Sequence, residues 1–307
     1  MAQITAALVK ELRDKTSAGM MDCKKALNET GGDLEAAVDW LRTKGIAKAD
    51  KKAGRIAAEG LVAVALAPNA GALVEVNSET DFVARNDGFQ AAVAEIAQLS
   101  LSVNNDAELA AAKTASGESV TDYLVKLVAS IGENMNFRRM AKLTVSDGVV
   151  AGYIHNSVAD GMGKIGVLIA LESSGDKAKL EALAKKIAMH VAATSPLALS
   201  VDDLDPAVVQ KERDMLKAEA LESGKPETIV DKMVEGRMTK FFKESVLMTQ
   251  IFVMDGERSI AKVIEDEAAA LGTDVKMTAY VRMGLGEGIE KKEEDFAAEV
   301  AATLKST

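Results

Sequence analysis

LVAVALAPNAGALVEVNSETDFVARNDGFQAAVAEIAQLSLS, residues 61–102, changes its period twice. LVAVALA (61–67) and ALVEVNS (72–78) are short apolar runs on either side of Pro68-Asn69-Ala70-Gly71, the signature of a β-hairpin with its turn at those four residues. From Gly88 the apolar positions return to helical spacing. The same order recurs: GVVAGYIHN (148–156), a glycine-rich turn, KIGVLIALES (164–173), and a helix over KAKLEALAKKIAMHVAATSP. Hairpin followed by helix, twice, predicts an α+β core of two related subdomains. Between the copies, ESVTDYLVKLVASIGEN reads as a helix and NFRRMAKLTVS as a strand.

Upstream, Ile4, Leu8 and Leu12 repeat at i, i+4, i+8, and Leu34, Ala37, Val38 and Leu41 form a second apolar stripe. Asp33 after Gly31-Gly32 suits an N-cap, and Gly45 stands where a C-terminal cap is expected. With MDCKKALNET between the stripes, residues 1–54 form a small three-helix module. KGIAKADKKAGR (44–55) is a solvated linker, a helix extension or a basic contact for an acidic partner face.

Downstream, Asp205-Pro206 starts one helix, and Ser223-Gly224-Lys225-Pro226 ends it and starts another. Val209, Leu216 and Ala220 share a face, as do Val230, Val234, Met238 and Phe241, which makes an antiparallel helical hairpin over 201–244. Periodicity leaves open whether it projects toward another surface or packs down on its own domain. SIAKVIEDEAAALG is a further helix and DVKMTAYVRM an alternating strand. GLGEG turns the chain into a terminal helix with Phe296, Val300 and Leu304 aligned, either a docking element or a cap on the core. The expected division is 1–54, 55–147, 148–200 with 245–285, the inserted hairpin 201–244, and 286–307.

The 307 residues are 48% hydrophobic and 27% charged, with a net charge of -10, so direct nucleic-acid binding is disfavoured and protein partners are expected. One cysteine precludes an intrachain disulfide framework and fits a reducing compartment. MAQITAALVKELRDK carries charges every few positions, and no apolar run approaches the roughly 20 residues of a membrane span. The expectation is a cytoplasmic protein without a membrane partner.

Catalytic signals are sparse. GMGKIG (161–166) spells G-x-G-x-x-G, but it precedes a strand, whereas a pyrophosphate loop follows a strand and opens a helix. His155 and His190 lack companion cysteines at ligand spacing, so no metal or cofactor is expected. His190, on a mostly apolar helix, reads as a satisfied core or interface histidine. Cys23 sits beside Lys24 and Lys25, which would lower its pKa, yet no histidine is near it in sequence. The pattern favours a binding protein over an enzyme. Phe82, in a chain with 4% aromatics, reads from spacing alone as a core residue at the strand-to-helix turn.

Eight segments in order resemble one family over essentially the whole chain: LVKELRDKTSAGMMDCKKAL, VNSETDFVARNDGF, IGENMNFRRM, IAMHVAATSP, SGKP with MVEGRM, FVMDGERSI and GEGIEKKEEDFAAEVA. The family is bacterial elongation factor Ts. The resemblance implies a guanine nucleotide exchange factor for elongation factor Tu. It also implies an N-terminal three-helix (UBA-like) module, a core of two related subdomains, an inserted hairpin that mediates homodimerisation in some members, and a C-terminal helical module. Thr80, Asp81, Phe82 and Val83 match the family segment that intrudes near the partner's magnesium site. Lys24, Ile131, Gly132, His155, Val253 and Met254 match further contact positions, and the chain departs from the family pattern around 101–120 and 156–163, which look like variable loops. A helical adaptor is the alternative reading, and a nucleotide-dependent enzyme built on GMGKIG a more distant one.

Overall fold

The structure is a computed structural model that describes residues 4–16, 18–222 and 227–290. Helices α1 (Ala6–Thr16), α2 (Met20–Glu29) and α3 (Leu34–Lys52) come first. Val9, Leu12, Cys23, Ala26, Leu27 and Ala37 form their shared core. The Asp33 carboxylate accepts the Ala36 N–H at 2.9 Å and starts α3, as a capping residue should. Gly45 is no cap. It lies buried inside α3, where a Cβ would stand 3.4 Å from the Ala129 Cβ, so the glycine serves close packing against the core. KGIAKADKK is therefore a helix extension: α3 runs unbroken to Lys52.

The first hairpin pairs β1 (Glu59–Ala67) with β2 (Ala70–Ser78), and its turn is the two residues Pro68-Asn69 rather than four. Then come α4 (Asp87–Ser100), α5 (Asp106–Ala111), α6 (Val120–Ile131) and β3 (Met135–Thr144), which pairs with β2. α5 lies within the segment expected to be loop; Asn105 caps it and Leu109 is buried beneath it. The second hairpin pairs β4 (Gly148–Ala159) with β5 (Met162–Glu172). Residues 156–163 are thus mostly strand, with a register shift between Ser157 and Ala159 and positive φ at Asn156. α7 (Lys177–Thr194) follows, then α8 (Pro206–Glu222), α9 (Glu227–Ser245), α10 (Ile260–Leu271) and β6 (Lys276–Gly284), which pairs with β5. The expected terminal helix lies outside the described residues.

Among the described residues, the six strands form one antiparallel sheet, so the class is α+β. β1 and β5 join the two hairpins through only two residue pairs, Val62 with Gly163 and Ala63 with Met162. Side chains alternate across each strand. Leu61, Ala63, Ala65, Val74 and Val76 pack with Phe89, Val93 and Ile96 of α4 and with Leu124 and Val128 of α6. Val149, Ala151, Val167, Ile169 and Leu171 meet α7 and α10. The remaining faces meet each other, with Val62 and Leu73 against Val150, Leu168, Ala170 and Met283, so the sheet curls over itself. Missing side chains make this possible. A Cβ on Gly71 would come 2.7 Å from Val150 Cγ1, one on Gly152 2.6 Å from Val64 Cγ2, and one on Gly166 2.7 Å from Leu73 Cδ2. These three glycines, standing in turn and strand segments, are therefore contact surfaces.

Within the α8–α9 pair, Ala220, Val230, Val234 and Met238 face one another with Val209, Leu216, Phe241 and Phe242. The stripes are thus spent between the two helices and on the base at Ala198, Leu204 and Val246. Arg237 pairs with Glu219 at 2.7 Å, and Arg213 pairs with Glu235.

Candidate functional site

Phe82 is 78% exposed. Its neighbours explain how: Val83 and Ala84 are locked into the core cluster, and the short 3-10 turn Val83–Arg85 begins there. With those two side chains inside, the preceding one is turned out. The aromatic that fills the core is Phe89, fully buried seven positions later in α4, whose N–H is accepted by the Asn86 side chain at 3.1 Å. Asp81 is also exposed, while Thr80 is half-buried. Transferring a phenyl ring to solvent forgoes about 1.5–3 kcal/mol relative to burying it, a cost that a partner surface would recover.

Ile131 and Gly132 end α6, and the glycine takes φ +94° there, a conformation that favours a residue without a Cβ. The next residue, Glu133, grips Thr80: its carboxylate accepts the Thr80 N–H at 2.9 Å and the hydroxyl at 2.7 Å. The fold therefore unites the 80–83 and 131–132 segments. The other candidates stand on separate elements. Lys24 is exposed on α2, beside the buried Cys23 and near the exposed Met20 and Met21. His155 is exposed on β4, with its Nδ1 3.1 Å from the Tyr153 hydroxyl. Val253 and Met254 are about half exposed, on a loop between α9 and α10.

That loop is closed at its base, where Phe252 N–H donates to the Arg258 carbonyl at 2.8 Å and Ile260 N–H to that of Gln250 at 3.0 Å. Just past that base the loop is tied to His190, which is fully buried. The Val253 N–H points at His190 Nδ1 at 3.3 Å, so Nδ1 is the acceptor and Nε2–H donates to Gln250 Oε1 at 2.9 Å. This tautomer is assigned from the hydrogen-bond network. Burial pushes the imidazole below its ordinary pKa, against the pull of the Gln250 hydrogen bond. His190 is thus a satisfied core histidine, and its link to Val253, 63 positions away, carries no sequence signal.

A second buried polar centre sits on β2. Burial alone would push the Glu75 carboxyl up. Donors from the Gly286 backbone, Asn77, Arg138 and Arg139 together outweigh burial and hold it below the ordinary glutamate value. It ties the turn after β6 to β2 and β3, with Arg139 Nε at 2.6 Å and Gly286 N–H at 2.8 Å.

The remaining chemical signals recede. Burial pushes the Cys23 thiol up, the opposite of the activation that Lys24 and Lys25 suggested. In GMGKIG, Gly161 forms the hairpin turn while Gly163 and Gly166 are inside β5, which leads to α7 only after Glu172. Among the described residues, no group of three or more His, Cys, Asp and Glu is placed to hold a metal, and no helix is long and apolar enough to cross a membrane. A cavity of about 580 Å³ lies between α3 and α6, lined by Trp40, Leu41, Ile46 and Val125 among lysines, and none of the candidate contact residues lines it. The arrangement suits docking on a surface.

The family described as Elongation factor TS matches residues 79–287. The chain is 60% identical over 307 residues to elongation factor Ts of Maricaulis maris (strain MCS10), covering 98% of each chain. It is 58% identical over 304 residues to that of Rhodospirillum centenum (strain ATCC 51521 / SW), covering 98% of this chain and 99% of the relative. With the Parvibaculum lavamentivorans (strain DS-1 / DSM 13023 / NCIMB 13966) protein of the same name it shares 56% over 307 residues, covering 99% and 100%.

Proposed function

The chain belongs to the elongation factor Ts family of translation elongation factors, and on that premise we propose that it is a guanine nucleotide exchange factor for elongation factor Tu. It acts by binding, in the cytoplasm, with no chemistry of its own. A GTPase that holds GDP at nanomolar affinity stores roughly 12 kcal/mol of binding free energy. An exchange factor offsets this by binding the nucleotide-free form better, and by linkage it weakens GDP as much as GDP weakens it. Two things are needed: a broad surface and a small intruding element.

The single observation that carries this reading is the exposed Phe82 ring in a protein that buries Phe89 completely a few residues later. A large, stiff, apolar side chain presented from a fixed turn suits wedging between packed side chains of a partner. Our reading is that the wedge shifts groups that position the partner's magnesium ion, with Asp81 helping to hold it or disturbing the ion's water ligands. Loss of the ion removes the main neutralising charge on the β-phosphate. Thr80 and Val83 anchor the wedge, and Ile131 and Gly132 press beside it. Lys24, His155, Val253 and Met254 broaden the surface.

The modules serve this role as the three-helix unit 1–54, subdomains 55–147 and 148–200 with 245–285, the hairpin 201–244 and the C-terminal module 286–307. The hairpin's outer face, with Val208 and Met215 exposed, suits contact with a second copy. The test is release of a fluorescent GDP from elongation factor Tu with and without this protein. Acceleration is expected. A rate unchanged at micromolar protein would overturn the reading, as would tight GDP binding by this chain alone.

A further inference from the structure

We propose that Glu133 is a positioning residue for exchange, which together with Glu79 forms a two-way clasp that sets where Phe82 meets the partner. The proposal rests on the exchange reading above and extends it to residues that hold the base of the Phe82 loop.

The clasp begins where the sheet stops. Ser78 and Met135 are the last paired residues of β2 and β3, and beyond them the two chains diverge. Side chains then replace the ladder. The Glu133 carboxylate takes both donors of Thr80, backbone and hydroxyl. In return, Glu79 Oε1 accepts the Asn134 N–H at 2.5 Å, while its Oε2 lies 3.3 Å from Arg55. Each chain thus lends a carboxylate to the other's backbone.

One arm of the clasp is itself braced. The Asn134 side chain donates to the Arg55 carbonyl at 2.8 Å, and the Lys52 ammonium donates to the Gly132 carbonyl. The other arm, bearing Phe82 two residues past Thr80, is braced by the Ser78 hydroxyl on the Thr80 carbonyl at 2.9 Å. Two-point, charge-assisted acceptance fixes orientation as well as distance. An exposed ring is a wedge only if its base does not yield when the partner pushes back, so pre-organisation of this base decides how much of the ring's contact energy acts on the partner. Because Ile131 and Gly132 sit on the braced arm, the same clasp sets their spacing from Phe82.

The test compares Glu133→Ala, Glu133→Gln, Phe82→Ala and the double variant Glu133→Ala/Phe82→Ala in stimulated GDP release. Thermal melts establish that each variant is folded. Glu133→Ala is expected to lower the maximal release rate by about tenfold. The concentration for half-maximal effect should move less than about twofold. Glu133→Gln, which keeps an acceptor for one Thr80 donor, should lose less and so rescue part of the rate. In the Phe82→Ala background, Glu133→Ala should add no further loss, since the two act as one unit. Amide exchange at Thr80, whose N–H the Glu133 carboxylate accepts, should quicken in Glu133→Ala, independently of any partner. Additive losses in the double variant, a defect in half-saturation alone, or unchanged amide exchange would overturn the clasp. If the native protein itself fails to accelerate release, the exchange reading falls, and amide exchange alone still judges the clasp.

Discussion

Two loops of this molecule carry apolar side chains into solvent, and they are fastened by opposite means. The 79–83 segment hangs from carboxylates, with Glu133 on Thr80 and Glu79 on Asn134. The 251–258 segment hangs from an imidazole that accepts the Val253 N–H only while it is uncharged. The first fastening draws on charge and sits at the open end of a sheet; the second is sealed in the core beside Phe252. The difference separates their duties. On the proposed exchange reading, a charge-assisted grip suits a loop that pushes, and a buried neutral grip suits one that only presents a surface.

Three measurements break or sharpen this contrast. The largest effect is expected from Phe82→Ala, which should slow stimulated GDP release by on the order of tenfold or more, the loss of a hot-spot aromatic of about 2 kcal/mol. An unchanged rate would return Phe82 to a passive surface role. Val253→Ser with Met254→Ser should weaken the reaction about fivefold, chiefly through half-saturation, as expected of contact area near 1 kcal/mol. A drop in the maximal rate equal to that of Phe82→Ala would erase the distinction between pushing and presenting.

The smallest effect concerns acid. The folded His190 pKa lies below its ordinary value of 6.5 because burial disfavours the cation. The unfolded chain therefore takes up the proton first, so the stabilisation is complete above about pH 6.5 and is lost as pH falls below it. Protonation also ends acceptance from Val253, a loss of about 1 kcal/mol for one hydrogen bond. Thermal melts from pH 7 to pH 5 should show this decline in the native protein. His190→Gln, which keeps a donor for Gln250, should start lower and stay flat over the same interval. Parallel slopes would remove the histidine from the account.

Much of the fold was legible because period is local. The change from alternation to helical spacing after residue 78 is physically enforced by the pleat and by the 3.6-residue turn. What spacing misjudged depended on distant partners. Gly45 resembles a helix stop until Ala129 is placed against it, and Gly71 and Gly166 look like ordinary turn and strand residues until the hairpins overlap. Residues 156–159 stand in a stretch that departs from the family pattern and looks like a variable loop, yet the strand continues through a bulge. For the candidate site, the apolar spacing around Phe82 predicted a core residue, and the core position is taken by Phe89 instead. The resemblance had pointed to the 80–83 segment. Neither route reached Glu133: it stands inside the quoted segment IGENMNFRRM, but its partner Thr80 is 53 positions away and nothing local ties the two.

The uninterrupted α3 turns the N-terminal module into the end of a rod instead of the end of a tether. Its 19 residues span roughly 28 Å at about 1.5 Å each, and its far end grips the Gly132 carbonyl through Lys52. The helix is a ruler with an angular scale. One inserted residue swings Lys24 by about 100° around the rod axis, while four inserted residues nearly restore its bearing but move it about 6 Å outward. The spacing between the Lys24 face and the Phe82 tip is thus counted in whole residues, and on the proposed reading a partner touching both would be measured by this helix.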